Sequence, residues 1–301
     1  MTVPTEARDG GSSATLYLTL DVESDYGRSD TYDVLDRAAP FFDWIKSEQI
    51  PLTAFVTGRL LEQGHRVVDT FQECGIAVGV HGYTHAADTF GTMHTSHADE
   101  IRRGAEAYAK RMGNKPAGYR AAAGVISRED VLLLDRIGFR YDASVVPMRR
   151  PGRYDFSGLP KTPFRWDGTR LVEIPFGLLT SALPAGMTFI NLLGATVSSR
   201  LIMREARRLT GAPAWHVTDL HLHNLFAHYP ALRSLPFVLR LIYLAGGIMG
   251  GLPTLRRMTA DLRRAGFEFG NLEADALRLD AGRLPVVELD FFDRPDRGAA
   301  L

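Results

Sequence analysis

The chain has 301 residues, 45% of them hydrophobic, enough to bury a sizeable core as one large domain or two small ones. Lys plus Arg and Asp plus Glu each number 35, so the formal net charge is zero and there is no basic footprint for nucleic acid. Cys74 is the only cysteine, which excludes an intrachain disulfide and a thiolate metal cage and leans towards a reducing compartment.

Residues 1–13 are polar and Gly/Ser-rich and lack the basic start and apolar run of a secretory signal, so a disordered tail is expected there. From residue 14, strand-like and helix-like segments alternate. Leu16, Leu18 and Leu20 alternate with Tyr17, Thr19 and Asp21, the period of a strand. Residues 31–49 read as a helix with a kink at Pro40. Residues 52–58 form a β-branched and aromatic strand closed by Gly58, and a helix precedes Gly75. A strand over 76–83 and a helix over 96–113 follow, then a short strand and loop over 117–124. Ser127 to Asp130 has the pattern of a capping box opening the next helix. Further strands are predicted at 139–144, 171–178 and 214–224, with a helix to Gly211 between the last two. Arg204, Arg207 and Arg208 on that helix read as a solvated face. A helix over 254–266 and a final strand over 285–289 complete the pattern.

About seven βα units without a linker predict one α/β domain over 14–275, its parallel sheet closed or nearly closed into a barrel, with a tail over 276–301. An open doubly wound sheet is the alternative, although no Gly-rich phosphate loop follows the first strand. Residues 229–251 read as an apolar insertion: a buried connecting helix, or a surface that rests on a membrane. The longest uncharged apolar stretch, Leu241 to Pro253, falls short of the roughly 18 residues of a spanning helix.

Chemistry in βα folds gathers at the C-terminal ends of the strands. Those ends carry Asp21 and Glu23, His81 and His85, Arg120, Asp142, and His221 with His223. Asp21 and Glu23, two apart on a strand, share a face at about 7 Å between Cα atoms, while Val22 points the other way. Two His and one carboxylate make a set that zinc takes, with a position left for water. Arg120 among alanines wants a carboxylate, if buried, and Asp21 is a candidate. Each residue also has an ordinary alternative: a solvated strand end, surface histidines, an exposed arginine, a turn acid, a satisfied core histidine.

Taken in order, "TLDVE", "HGYTH", "YRAAAG", "FRYDAS" and "LHLHN" resemble the motifs of the polysaccharide deacetylase family, the carbohydrate esterases with a nodulation-protein-type deacetylase domain. The resemblance runs from about Leu16 to Leu272, and the segment from Gly118 to Pro147 resembles a branch linked to exopolysaccharide synthesis. It implies a distorted (β/α) barrel and metal-dependent removal of an acyl group, commonly acetyl from an amino sugar. Carried onto this chain, it makes Asp21 the catalytic base and Glu23, His81 and His85 the ligands of a divalent metal, expected to be zinc. Arg120 would pair with Asp21, Asp142 would tune the acid–base groups, and His223 would be the general acid. The Ala123 N–H would hold the oxyanion.

The chain departs from the family twice. Val22 stands where the commoner motif has its second acid, as in a DxE variant, and Ala122 replaces a proline that stiffens the third motif. The expected substrate is an N-acylated amino sugar in a polysaccharide or lipid-linked precursor, met in the cytoplasm or at the inner face of the membrane. A deformylase or cyclic-amide hydrolase on the same fold is a competing reading. So is a glycan-binding module without catalysis.

Overall fold

The computed structural model describes residues 14–25, 31–86, 89–209, 214–226 and 250–294, with Phe237, Arg240, Leu241, Tyr243 and Leu244 between the last two stretches. The expected N-terminal tail, most of the apolar insertion and the last residues of the C-terminal tail lie outside the described residues.

β1 (Thr15–Val22) leads through a 3₁₀ turn to α1 (Ala39–Ser47), and β2 (Leu52–Val56) to α2 (Gly58–Glu62) and α3 (Val67–Glu73). β3 (Ala77–Val80) precedes α4 (Ala98–Met112), and β4 (Gly118–Tyr119) precedes α5 (Arg128–Ile137). Then come β5 (Tyr141–Asp142), β6 (Arg149–Arg150), β7 (Tyr154–Asp155), β8 (Phe164–Trp166), β9 (Val172–Glu173), β10 (Leu178–Thr180) and β11 (Leu183–Pro184). α6 (Met187–Leu193) and α7 (Ala195–Arg208) lead to β12 (Trp215–His221) and α8 (Leu222–Leu225). The described chain closes with α9 (Leu252–Arg264), β13 (Glu268–Phe269), α10 (Leu272–Ala276) and β14 (Val286–Val287).

Seven strands run parallel in the order β12, β1, β2, β3, β4, β5, β9. β8 then adds antiparallel to β9. The chain beyond β9 crosses back to β12, where the Gly177 N–H donates to the Val217 carbonyl at 2.9 Å and the Asp219 N–H to Ala185 at 3.2 Å. These bonds, rather than a full strand pair, close the ring, so the sheet is a distorted barrel, as the sequence predicts.

β1 shows why the site sits at the rim. Leu16, Leu18, Leu20 and Val22 pack outward in one core with Phe41, Phe42 and Ile45 of α1. Each fully buried side chain of this kind contributes roughly 1.5–3 kcal/mol. Tyr17, on the opposite face, joins Phe55, Tyr141, Trp215 and Val217 in a second, interior cluster floored by Leu272 of α10. Above that apolar floor the inward positions turn polar: Thr19 and Asp21 on β1, Asp219 and His221 on β12. Gly118 permits this layering, because a Cβ there would overlap the Tyr141 ring that crosses the barrel floor.

Several elements differ from expectation for local reasons. The 31–49 helix is broken into a 3₁₀ turn and α1, with Pro40 in the first turn of α1, where a missing N–H leaves no bond unmade. The strand predicted over 214–224 stops at His221, and Leu222–Leu225 turn into a helix. The capping box is present: the Ser127 hydroxyl accepts from the Asp130 N–H at 3.2 Å, and the Asp130 carboxylate from the Ser127 N–H at 3.0 Å. The β6–β7 and β10–β11 hairpins and α6 have no periodic signal in the sequence. Among the described residues, no helix is long and apolar enough to cross a membrane.

Candidate active site

The end of β3 turns sharply so that two histidines meet. The His81 N–H is held by the Val56 carbonyl at 2.9 Å, and Gly82 and His85 take positive φ of 62° and 55°. A left-handed histidine is disfavoured by roughly 1–2 kcal/mol. Glu100 of α4 clamps the turn: one carboxylate oxygen accepts from the Tyr83 and Thr84 N–H groups at 2.9 and 2.8 Å, the other from the Thr84 hydroxyl at 2.9 Å. The His81 and His85 rings consequently lie 4.8 Å apart between centroids.

Arg120, at the end of β4, is 1% exposed and serves several groups at once. Its Nη1 donates to Asp21 Oδ1 and to the Thr19 hydroxyl, both at 2.8 Å, and its Nε to the Ala143 carbonyl at 3.0 Å. The guanidinium lies against the Phe55 and Phe176 rings, which exclude water from the pair. Burial alone would raise the Asp21 carboxyl. The charges of Arg120, His81 and His221 override that, so Asp21 stays ionised below its ordinary range.

Glu23, His81 and His85 each offer one ligand atom within 4.8 Å of the others. His81 donates Nδ1–H to the Arg120 carbonyl at 2.9 Å, which leaves the Nε2 lone pair outward, buried and without a hydrogen-bond partner. Burial lowers the His81 imidazole to about 4, so it is neutral, as a ligand must be. Glu23 is 4% exposed, with His85 Nδ1 at 2.5 Å and His221 Nε2 at 3.4 Å. A neutral, orphaned imidazole beside a buried carboxylate and a second imidazole fits a divalent cation of the zinc type. A second acid and histidine group, Asp21, Asp219 and His221, already has the Arg120 guanidinium 3.6 Å from Asp219, so its charge has a resident partner.

The structure thus brings Asp21, Glu23, His81, His85 and Arg120 together. His223 is placed elsewhere: the helical turn after His221 swings its buried ring onto Asp25, with Nε2 3.5 Å from the carboxylate. Asp25 in turn accepts from the Asp33 and Val34 N–H groups at 2.8 and 3.1 Å. His221 takes the position beside the cluster, adjacent to Asp21 in the β1–β12 register, its Nδ1 3.3 Å from Asp219. Asp219, unassigned from the sequence, is raised to about 7 by burial and by the neighbouring Asp21 and Glu23 charges. The alternation of 219 and 221 around Leu220 is the signal that identifies this pair, the same signal that links Asp21 and Glu23.

Asp142 does not line the cavity. It accepts from the Ser144 hydroxyl at 2.5 Å, and that hydroxyl accepts the Ala121 N–H at 2.7 Å, so Asp142 supports the loop after β4. Its register partner is Glu173 on β9. Burial raises Asp142 to about 6, and burial plus the Asp142 charge raises Glu173 further, so the pair retains a proton. Ala123 lines the cavity in a left-handed conformation, φ 55° and ψ 14°, with its carbonyl tied to Arg150 at 3.0 Å. Among the described residues its N–H makes no hydrogen bond.

These groups open into a cavity of about 540 Å³ with Val146, Met148, Phe176, Met187 and Phe189 among its walls.

Residues 9–141 match the family model described as polysaccharide deacetylase. No curated protein sequence matches the chain. A crystal structure from Mycobacterium smegmatis, described as a candidate polysaccharide deacetylase, is similar at a TM-score of 0.57 and 18% identity, covering 98% of each chain. PuuE allantoinase is similar at 0.57 and 15%, covering 92% of this chain and 93% of its own. A CE4 family pseudoenzyme from Bacillus anthracis is similar at 0.50 and 14%, covering 92% and 69%. At these identities the structures share a fold, and the three descriptions differ in chemistry, so function rests on the residues at the rim. The matched residues carry the Asp21, HGYTH and Arg120 motifs, so this part of the chain, a little under half of it, is similar to a polysaccharide deacetylase domain.

Proposed function

We propose that the protein is a zinc-dependent deacylase that removes an N-acyl group, acetyl in the first instance, from an amino sugar of a polysaccharide or lipid-linked precursor. The observation that carries this is the buried Glu23–His81–His85 set standing beside the Asp21–Arg120 ion pair.

A divalent cation held by Glu23, His81 and His85 would supply a Lewis acid and lower the pKa of a water at the site. Asp21, kept ionised by Arg120, accepts the proton of the attacking water through Oδ2, the oxygen that Arg120 leaves open. The Ala123 N–H offers a donor to the oxyanion, and Arg150 holds its peptide in place through the Ala123 carbonyl. His221 replaces His223 as the proton donor to the leaving amine, because it alone of the two faces the cavity. Asp219 orients the His221 ring through Nδ1. Such acid–base groups typically contribute about 10²–10⁴-fold each.

The test is acetate release from N-acetylated amino-sugar oligomers by the purified, zinc-loaded chain, with Asp21→Asn alongside. Turnover by the wild type and its near loss in the variant are expected. An Asp21→Asn protein as fast as wild type would overturn the assignment.

A further inference from the structure

Among the described residues seven large apolar side chains are exposed, and their distribution is uneven. Leu192, Leu193 and Val197 stand at the corner between α6 and α7. Phe237 and Leu241, four residues apart, are also exposed, just before Tyr243, which lines the catalytic cavity alongside Met187 and Phe189 of α6. One and the same short helix therefore presents its first turn to the cavity and its last residues to solvent.

The charges around that corner have one sign. From Val197, Arg200, Arg204 and Arg207 follow at steps of three, four and three, which places them along a single face of α7. All three arginines are exposed, whereas Glu205, the one acid of α7, is 6% exposed and paired with Arg208 at 2.7 Å. Arg257 of α9 borders a shallow depression with Leu193, Val197 and Pro253. Among the described residues Arg200, Arg207 and Arg257 form no ion pair. In a chain of zero net charge this is a local asymmetry.

We propose that the α6–α7 corner docks on an anionic lipid bilayer. An apolar tip flanked by arginines suits such a surface: the Leu and Val side chains enter the acyl boundary while the arginines meet headgroup phosphates. A second copy is a poor occupant, because a two-fold contact through this face would set arginine against arginine. Docking there turns the α6 end of the cavity towards the membrane, where a lipid-linked sugar would present itself. That consequence rests on the proposed activity; the docking itself does not.

Co-sedimentation of the full chain with vesicles of phosphatidylcholine alone, and of phosphatidylcholine mixed with phosphatidylglycerol, tests this. Binding to the mixed vesicles, weakened by salt, is expected. Leu192→Glu with Val197→Glu, and separately Arg200→Glu with Arg204→Glu, should each lower the partition coefficient at least ~10-fold, since each basic residue near the surface counts for about fivefold. Asp21→Asn should bind as wild type, so loss of the proposed activity and loss of docking are read separately. Wild-type protein that stays in the supernatant with mixed vesicles overturns the proposal. So do paired variants that bind unchanged. A lipid-free dimer that both pairs of substitutions convert to monomer would reassign the face to a second copy.

Discussion

Arg120 and His81 are joined through the main chain: His81 donates Nδ1–H to the Arg120 carbonyl at 2.9 Å, while the Arg120 side chain holds Asp21 at 2.8 Å. One residue thereby fixes the tautomer of His81, the proposed ligand, with its backbone and the charge of Asp21, the proposed base, with its guanidinium. Substitution removes only the second task. Arg120→Met should keep zinc affinity within a few-fold while kcat falls by ~10²-fold or more. It should also destabilise the fold by about 3–5 kcal/mol, because Asp21 is left buried without its cation. Asp21→Asn in the same chain should restore much of that loss. Zinc titration and urea unfolding of the two variants check both statements, and a large loss of zinc affinity in Arg120→Met would contradict the first.

The two histidines at the end of β12 are separable by kinetics. His221→Ala should lower kcat by about 10²–10⁴-fold with a smaller change in KM. His223→Ala should act chiefly on stability, by loosening the Asp25 turn. The reverse pattern would return the proton-donor role to His223.

Glu23 and zinc can be tested without turnover. A cation that binds only the folded chain raises its stability with concentration. Wild-type Tm should therefore rise on adding zinc and fall on chelation, and Glu23→Gln should need at least ~10-fold more zinc for the same rise. An unchanged zinc response would remove Glu23 from the ligand set.

His97 gives a pH-dependent prediction away from the site. Its Nδ1 is 2.6 Å from Asp130 and its Nε2 3.0 Å from the Phe90 carbonyl, and Phe90 packs edge-on against His85. Only the imidazolium donates at both nitrogens. Burial works against that charge, but the hydrogen bond and charge of Asp130 prevail and raise the His97 pKa. A raised histidine contributes stability in full below its unfolded pKa of about 6.5, and loses it as pH rises through the folded value. His97→Gln should hence cost about 1.5–3 kcal/mol in mildly acidic buffer and less in alkaline buffer. Denaturation midpoints across pH decide it; an equal cost at both ends would show that the charge is not involved.

How much of this was legible beforehand follows from where the signal lies. Residues on β1 carry their own alternation, so the shared face of Asp21 and Glu23 could be read directly. The HGYTH turn could be placed at a strand end, but its clamp could not, since Glu100 lies on the next helix and glutamates on exposed helices carry no mark of purpose. The family resemblance makes His223 the general acid; His221 and His223 both continue the alternation of β12, and only the helical turn at Leu222 separates them. The resemblance alone gives Asp142 a tuning role in the acid–base machinery. Its actual partners, Ser144 and Glu173, depend on the β5–β9 register, which local sequence does not encode. The hairpins that wall the cavity have strands of two or three residues, too short for any period to show.

The Asp142–Glu173 pair supplies a last test. A carboxyl whose folded pKa is raised is fully tolerated below its unfolded value of about 4 and costs stability as pH climbs through the folded one, about 6 for Asp142. Glu173→Gln keeps an acceptor for the Val145 N–H, now at 2.9 Å, and removes the second negative charge. It should leave acid stability unchanged and raise stability at neutral to alkaline pH. A variant less stable across the whole range would show that the two carboxyls do not share a proton.

The β1–β12 ladder sets Asp21 directly opposite His221. The group that would take a proton and the group that would return it are thus mounted on one continuous stretch of hydrogen-bonded backbone. Their Cα atoms cannot approach or retreat without breaking that ladder, so adjustment between binding and product release falls to side-chain rotation, to the substrate and to the walls around it. On the proposed activity, broadening this scaffold to bulkier acyl groups is therefore a matter of reshaping the Met148, Met187 and Phe189 side of the cavity, with the backbone of the proposed proton-handling pair left as it stands.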